Sequence, residues 1–219
     1  MMNHIEIKKQ WIPAGYEHPV FLIDGRPLYE YIKEWTAGNP ALSNWISPPD
    51  ILAICWTDGY DCEGDARFMR FVLNQEQAIT PILSCPEDFD FSCVVLVAEV
   101  ERQENQVLWK RMGVVDHSAA SFEEEKQKGI LWLEAYSEED WVRFGDNIAL
   151  ETVDSPKWYD WIRENWPEEL YRRRIHYTFP YYQNEHHIQW FASCNFVFDR
   201  GEYDALVAGC YADIEHEGA

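Results

Sequence analysis

Val94-Val-Leu-Val-Ala-Glu-Val100, the polar stretch Glu101-Arg-Gln-Glu-Asn-Gln106, and Val107-Leu-Trp-Lys-Arg-Met-Gly-Val-Val115 together decide the fold. The first run is short, rich in β-branched residues and bounded by polar sequence, which reads as a strand buried on both faces. Glu104-Asn105 suits a tight hairpin turn, and Val107 to Val115 returns as the partner strand. Strands joined so closely must run antiparallel, because parallel pairing needs a long crossover. Upstream, Cys85-Pro-Glu-Asp-Phe-Asp-Phe-Ser-Cys93 is an acidic turn feeding the same element, and Ile79 to Ser84 reads as a strand before it.

Working outward, Val20 to Ile23 reads as a short strand ending at the turn signal Asp24-Gly25, with Asp24 placed to cap the next helix. In that helix Leu28, Ile32 and Trp35 recur on one face. Ile51 to Trp56 reads as another buried strand, opening into the acidic segment Thr57 to Asp65. Arg67 to Leu73 fits either a weak strand or a short helix capped by Asp65. Ser121-Phe-Glu-Glu124 and Ser137-Glu-Glu-Asp140 have helix-start chemistry. Trp141, Phe144 and Ile148 then mark a buried helical face, and Asp154-Ser155-Pro156 begins a helix lined by Trp158, Trp161, Ile162 and Trp166. Ile188 to Phe198 reads as one late strand, and Tyr203, Leu206, Val207 and Cys210 as the inner face of a closing helix behind Asp199. The expected architecture is a single α+β domain over 1–219, a mainly antiparallel sheet covered by amphipathic helices. Residues 1–18 and 213–219 are expected to be loosely ordered.

Composition limits function. The chain has 219 residues, 39 acids against 18 Lys and Arg, and a formal charge of −21. Such a charge repels nucleic-acid phosphates and anionic membranes, so neither is an expected partner. No run approaches the roughly 20 apolar residues of a membrane helix, and the first ten residues lack the profile of a secretory signal, so a cytoplasmic location is expected. The six cysteines contain no C-x-x-C pair, which argues against a zinc ribbon or thioredoxin-type site.

Two acidic turns are the candidate site: Asp58, Asp61, Glu63 and Asp65 in one, Glu87, Asp88 and Asp90 in the other. Oxygen ligands on turns can hold Ca²⁺, but counting from Asp58 puts Glu63 sixth and Met69 twelfth, where an EF-hand loop needs Gly and Glu. The preferred reading is an acidic recognition patch for a basic protein partner, with Trp45 as an aromatic anchor. Trp56 and Trp132 are further candidates for the rim of a groove. No metal and no cofactor is expected. His117, flanked by Asp116 and Ser118, has the residue types of a hydrolytic triad, but local adjacency does not assemble one and no G-x-S-x-G occurs. His186 and His187 diverge on either a strand or a helix. Cys85 and Cys93 lie among carboxylates that disfavour a thiolate. Glycine-rich phosphate loops are absent, and Arg172 to Arg174 most simply pair with nearby acids.

Size, acidity, aromatic richness and the lack of a catalytic signature resemble the immunity proteins of bacterial polymorphic toxin systems. Cys85 to Cys93, Lys128-Gly-Ile-Leu131 and Asp140-Trp-Val-Arg-Phe-Gly-Asp-Asn147 are similar to a broad family of uncharacterised bacterial proteins, over about residues 19 to 210. The resemblance implies a cytosolic protein that neutralises a cognate, basic toxin by binding it. An uncharacterised structural or interaction role is the next alternative, and two other functions are carried beside it. One is a metal-assisted hydrolase, which requires the acids to converge with His117 or His186. The other is a phosphate-mimicking inhibitor, which requires a regular acidic stripe. The oligomeric state is left open.

Overall fold

The computed structural model describes residues 2–46, 48–57, 63–87, 93–116, 137–145, 164–166 and 181–212. They form two antiparallel sheets with helices packed against them, an α+β arrangement. The larger sheet is built on the predicted hairpin. β5 (Gln77–Ser84), β6 (Val95–Arg102) and β7 (Gln106–Val115) pair in sequence order, with the turn at 103–105 closed by Gln103 N–H donating to Gln106 C=O at 2.8 Å. β6 is buried at Val95, Leu96, Val97, Ala98 and Val100, as its composition requires.

β4 (Ala53–Ile54) adds to the C-terminal end of β5. It is shorter than the expected Ile51–Trp56 strand because Pro49–Ile51 forms a 3-10 turn, where Pro49 lacks a ladder N–H. On the far side of β7 lie β8 (Ile188–Ala192) and β9 (Phe196–Asp199), one behind the other. The expected single strand is therefore interrupted at 193–195. Asn195 adopts a left-handed φ of 49°, and its N–H reaches Lys110 C=O at 3.2 Å. Asn tolerates that conformation better than most residues.

The smaller sheet joins β1 (Ile5–Trp11), β2 (Glu17–Ile23) and β3 (Arg26–Pro27). This corrects the expectation of loose order over 1–18: β1 pairs along its whole length with β2, from Ile5↔Ile23 to Trp11↔Glu17. Its only apolar inward residues, Ile5 and Ile7, are too few to show a period in the sequence, but they pack on the main core. Asp24 is also corrected. It does not cap the helix; its carboxylate accepts from Asn3 Nδ2 (2.7 Å) and His4 N–H (2.8 Å), fastening the start of β1 to the β2–β3 turn. That turn places both Asp24 and Gly25 at positive φ (53° and 78°), the conformation of a two-residue type I′ hairpin loop.

The helices are α1 (Leu28–Thr36), α2 (Pro40–Trp45), α3 (Glu63–Leu73), α4 (Glu138–Phe144) and α5 (Arg200–Ala212). α3 settles the ambiguity at Arg67 to Leu73: Phe68, Met69, Val72 and Leu73 are buried at helical spacing, so packing selects the helix. The capping box at Ser137 and Asp140 is present. Trp141, expected inside, is 41% exposed, whereas Phe144 is buried and stacks on Trp166 at 4.3 Å. The expected helices at 121–129 and 154–166, and Arg172 to Arg174, lie largely or wholly outside the described residues.

The core is aromatic where sheets and α5 meet. Phe21, Trp56, Trp109, Phe198 and Tyr203 are buried edge-to-face or stacked, with centroid separations of 4.8 Å for Phe21–Trp56 and 5.4 Å for Trp109–Phe198. The Trp109 indole N–H donates to the Tyr203 hydroxyl at 3.0 Å, which satisfies a polar atom that burial would otherwise penalise. Burial pushes the Tyr203 phenol far above its ordinary range. Trp56 belongs here, 2% exposed, with its indole N–H on Pro81 C=O (3.2 Å); it cannot rim a groove.

Candidate functional site

The two acidic turns are rooted on one edge of the larger sheet. After β4 the chain runs beside β5, where Cys55 N–H donates to Ile82 C=O at 3.0 Å, and then enters the first turn beyond Thr57. The second turn leaves the end of the same strand, where Cys85 N–H donates to Val94 C=O at 3.0 Å and starts the connection to β6. Ile82 and Cys85 are three residues apart, about 10 Å of strand. Because β4 runs antiparallel to β5, the chain beyond Cys55 heads toward the N-terminal end of β5, whereas Cys85 leaves its C-terminal end, so the two acidic segments depart from β5 in opposite directions.

Glu87 is exposed just past that root. Glu63 and Asp65 fall in the first turn of α3, where the positive end of the helix dipole favours carboxylates; their side chains lie outside the described set. Asp58, Asp61, Asp88 and Asp90 also lie outside the described residues. Trp45 ends α2, 38% exposed, on a helix fixed by buried Leu42 and by the Asn39 side chain accepting from Leu42 N–H at 3.2 Å.

Sequence reading passed over other exposed aromatic and apolar residues. Trp11, at the tip of the β1–β2 hairpin, is 74% exposed, with Tyr16 across the turn, and Val142 projects from α4. Alternation along β1 places Trp11 on the same face as Ile5 and Ile7, which disguises it as a core residue; the core ends before the strand does.

The described cations are largely engaged. Arg26 grips Glu34 (2.5 Å) and Glu30 (3.1 Å), and its hydrogen bond holds the Glu34 carboxyl below the usual range. On the β6–β7 surface Lys110 pairs with Glu101 (2.5 Å) and Glu99 (3.5 Å), while Arg111 pairs with Glu99 and with Glu185 (2.6 Å) and lies 4.0 Å over the Trp190 ring. Arg102 and Arg200 share Asp204, at 2.9 and 2.7 Å. Lys33 lies 3.7 Å from buried Asp50.

The histidine candidates are separated by the 3-10 turn Glu185–His187. His186 is exposed; His187 is buried, with Nδ1 3.0 Å from Tyr181 C=O and its ring 4.2 Å from that of Tyr181. His117 and Ser118 lie outside the described residues. Among the described residues no group of three His, Cys, Asp or Glu side chains is placed to hold a metal ion, and no helix is long and apolar enough to cross a membrane. Cys85 and Cys93 are half-buried.

No protein-family model, no curated protein and no solved structure matches this chain.

Proposed function

We propose that this chain is an acidic binding protein that neutralises a basic protein partner by direct contact, in the manner of the immunity proteins of bacterial toxin systems. Charge balance carries the reading. The sequence holds 39 acids and 18 Lys and Arg, so 39 − 18 = 21 carboxylates have no cation of their own. The described cations reinforce this, because Arg26, Arg102, Lys110, Arg111 and Arg200 are already paired with acids of this chain. Surplus negative charge of this size accelerates encounter with a basic protein and disfavours acidic competitors. Asp58, Asp61, Glu63, Asp65, Glu87, Asp88 and Asp90 form the recognition patch, and Trp45 supplies an apolar anchor next to charge. A cytosolic location is part of the same proposal.

The test is charge reversal at the turns: Asp58→Lys, Asp61→Lys, Glu87→Lys and Asp88→Lys together. Circular dichroism and thermal midpoint should match the wild type if the patch serves recognition alone. Affinity for the captured partner should fall by at least about tenfold, the lower end of electrostatic steering effects. An unchanged affinity removes the turns from the recognition surface.

A further inference from the structure

Strand β5 has an outward edge that β4 covers only at Ile82 to Ser84. Arg102 N–H donates to Glu76 C=O at 2.7 Å, which marks that pair as a bonded rung with β6. Bonded and non-bonded pairs alternate in an antiparallel ladder, so the backbone groups of Gln77, Ile79 and Pro81 point away from β6. Each such group needs a partner or it becomes a template for another chain.

Two of these positions are closed by side chains. Pro81 has no N–H to offer, and its C=O accepts from the Trp56 indole at 3.2 Å. At Ile79 the N–H donates to Gln183 Oε1 (2.7 Å) and the C=O accepts from Gln183 Nε2 (3.0 Å). A primary amide presents one acceptor and one donor side by side, the same pair that a neighbouring strand presents. Gln183 therefore makes one rung of a ladder from 104 residues away.

Its placement is fixed on both sides. Tyr182 is 2% exposed and packs on Phe68 of α3, with ring centroids 5.5 Å apart. Downstream, Asn184 N–H donates to Tyr181 C=O (3.3 Å), and Asp116 N–H donates to His187 C=O (2.7 Å), tying the segment to the end of β7.

We infer that Gln183 is a latch that closes the β5 edge against pairing with the same edge of a second copy of this chain. An antiparallel pair with Ile79 opposite its own counterpart would exchange two N–H···O=C bonds, the same two that Gln183 makes. The strand is well suited to such pairing: Ala78, Ile79, Thr80, Ile82 and Leu83 are buried and mostly β-branched or aliphatic. The segment at 181–184 must move for the edge to open.

The test compares the wild type with Gln183→Leu and Gln183→Glu, by hydrogen exchange resolved to Ile79 and by light scattering across protein concentration. The leucine keeps bulk and removes both bonds; the glutamate keeps the acceptor alone. Gln183→Leu should raise exchange at Ile79 by about tenfold or more, as expected when a buried group loses its partner. It should also give a mass above that of the wild type, rising with concentration. Gln183→Glu should retain slow exchange at Ile79 while still associating more than the wild type, and it carries the test if the leucine variant does not fold. Wild-type exchange in Gln183→Leu overturns the latch. Faster exchange without added mass overturns the self-pairing.

Discussion

Cys194 sits where β8 breaks before β9, its thiol donating to Trp109 C=O at 3.2 Å. Burial pushes the thiol up to about 11, with nearby backbone N–H groups offsetting only part of the effect. The thiolate is the reactive form, so at pH 8 Cys194 should alkylate with iodoacetamide at least about tenfold more slowly than free cysteine. Peptide mapping after a timed reaction measures this, and labelling at the free-cysteine rate would contradict it. The sign for stability follows from the same shift. A pKa raised by folding contributes stability that is whole below the unfolded thiol value, near 8.5, and is lost as pH rises through about 11. Alkaline weakening at this site therefore belongs above neutral pH, and acid should leave it untouched.

At the scale of elements, Gly113 shows what holds the sheet closed. It pairs with Val97 of β6 and Trp190 of β8. A Cβ there would meet Ile188 Cγ2 at 2.6 Å, Trp190 Cε3 at 2.9 Å and Gln189 C=O at 3.0 Å. Backbone on one side and a packed indole on the other leave little room to yield. Gly113→Ala should destabilise by about 1–3 kcal/mol, read as a lower urea midpoint with the slope unchanged; a wild-type midpoint would show that β8 can shift freely. The β6–β7 pair around this glycine was legible in the sequence because its signal is local: a continuous β-branched run, a two-residue turn, a return. β1 was not legible, since its order comes from β2 and from Asn3 and His4 gripping Asp24, contacts some twenty residues away. The single late strand was half right: both ends are strand, but the break at 193–195 depends on Asn195 and Cys194 reaching β7 backbone. Gln183 carried no local sign of its role, because an amide that mimics a strand is recognised only beside the strand it bonds.

For the whole molecule, the acidic segments stand out in the sequence by their Asp, Gly and Pro content, and Trp45 is 38% exposed. The segments' opposite departures from β5 were not legible, because they depend on the β4–β5 pairing. Trp56 was misplaced at the surface for a related reason: an isolated tryptophan in sequence gives no sign of the five-ring cluster that encloses it. The charge of −21 needs no structure to be read, but its availability does. With Arg26, Arg102, Lys110, Arg111 and Arg200 paired internally, the surplus is left for a partner. The most direct measurement is affinity capture from the native cell lysate at low salt, eluted with a salt gradient, run in parallel with the fourfold charge-reversed variant. The account predicts one basic protein that is released from the wild type only at high salt and does not bind the variant. Capture of no basic protein, or equal retention by both forms, would contradict it.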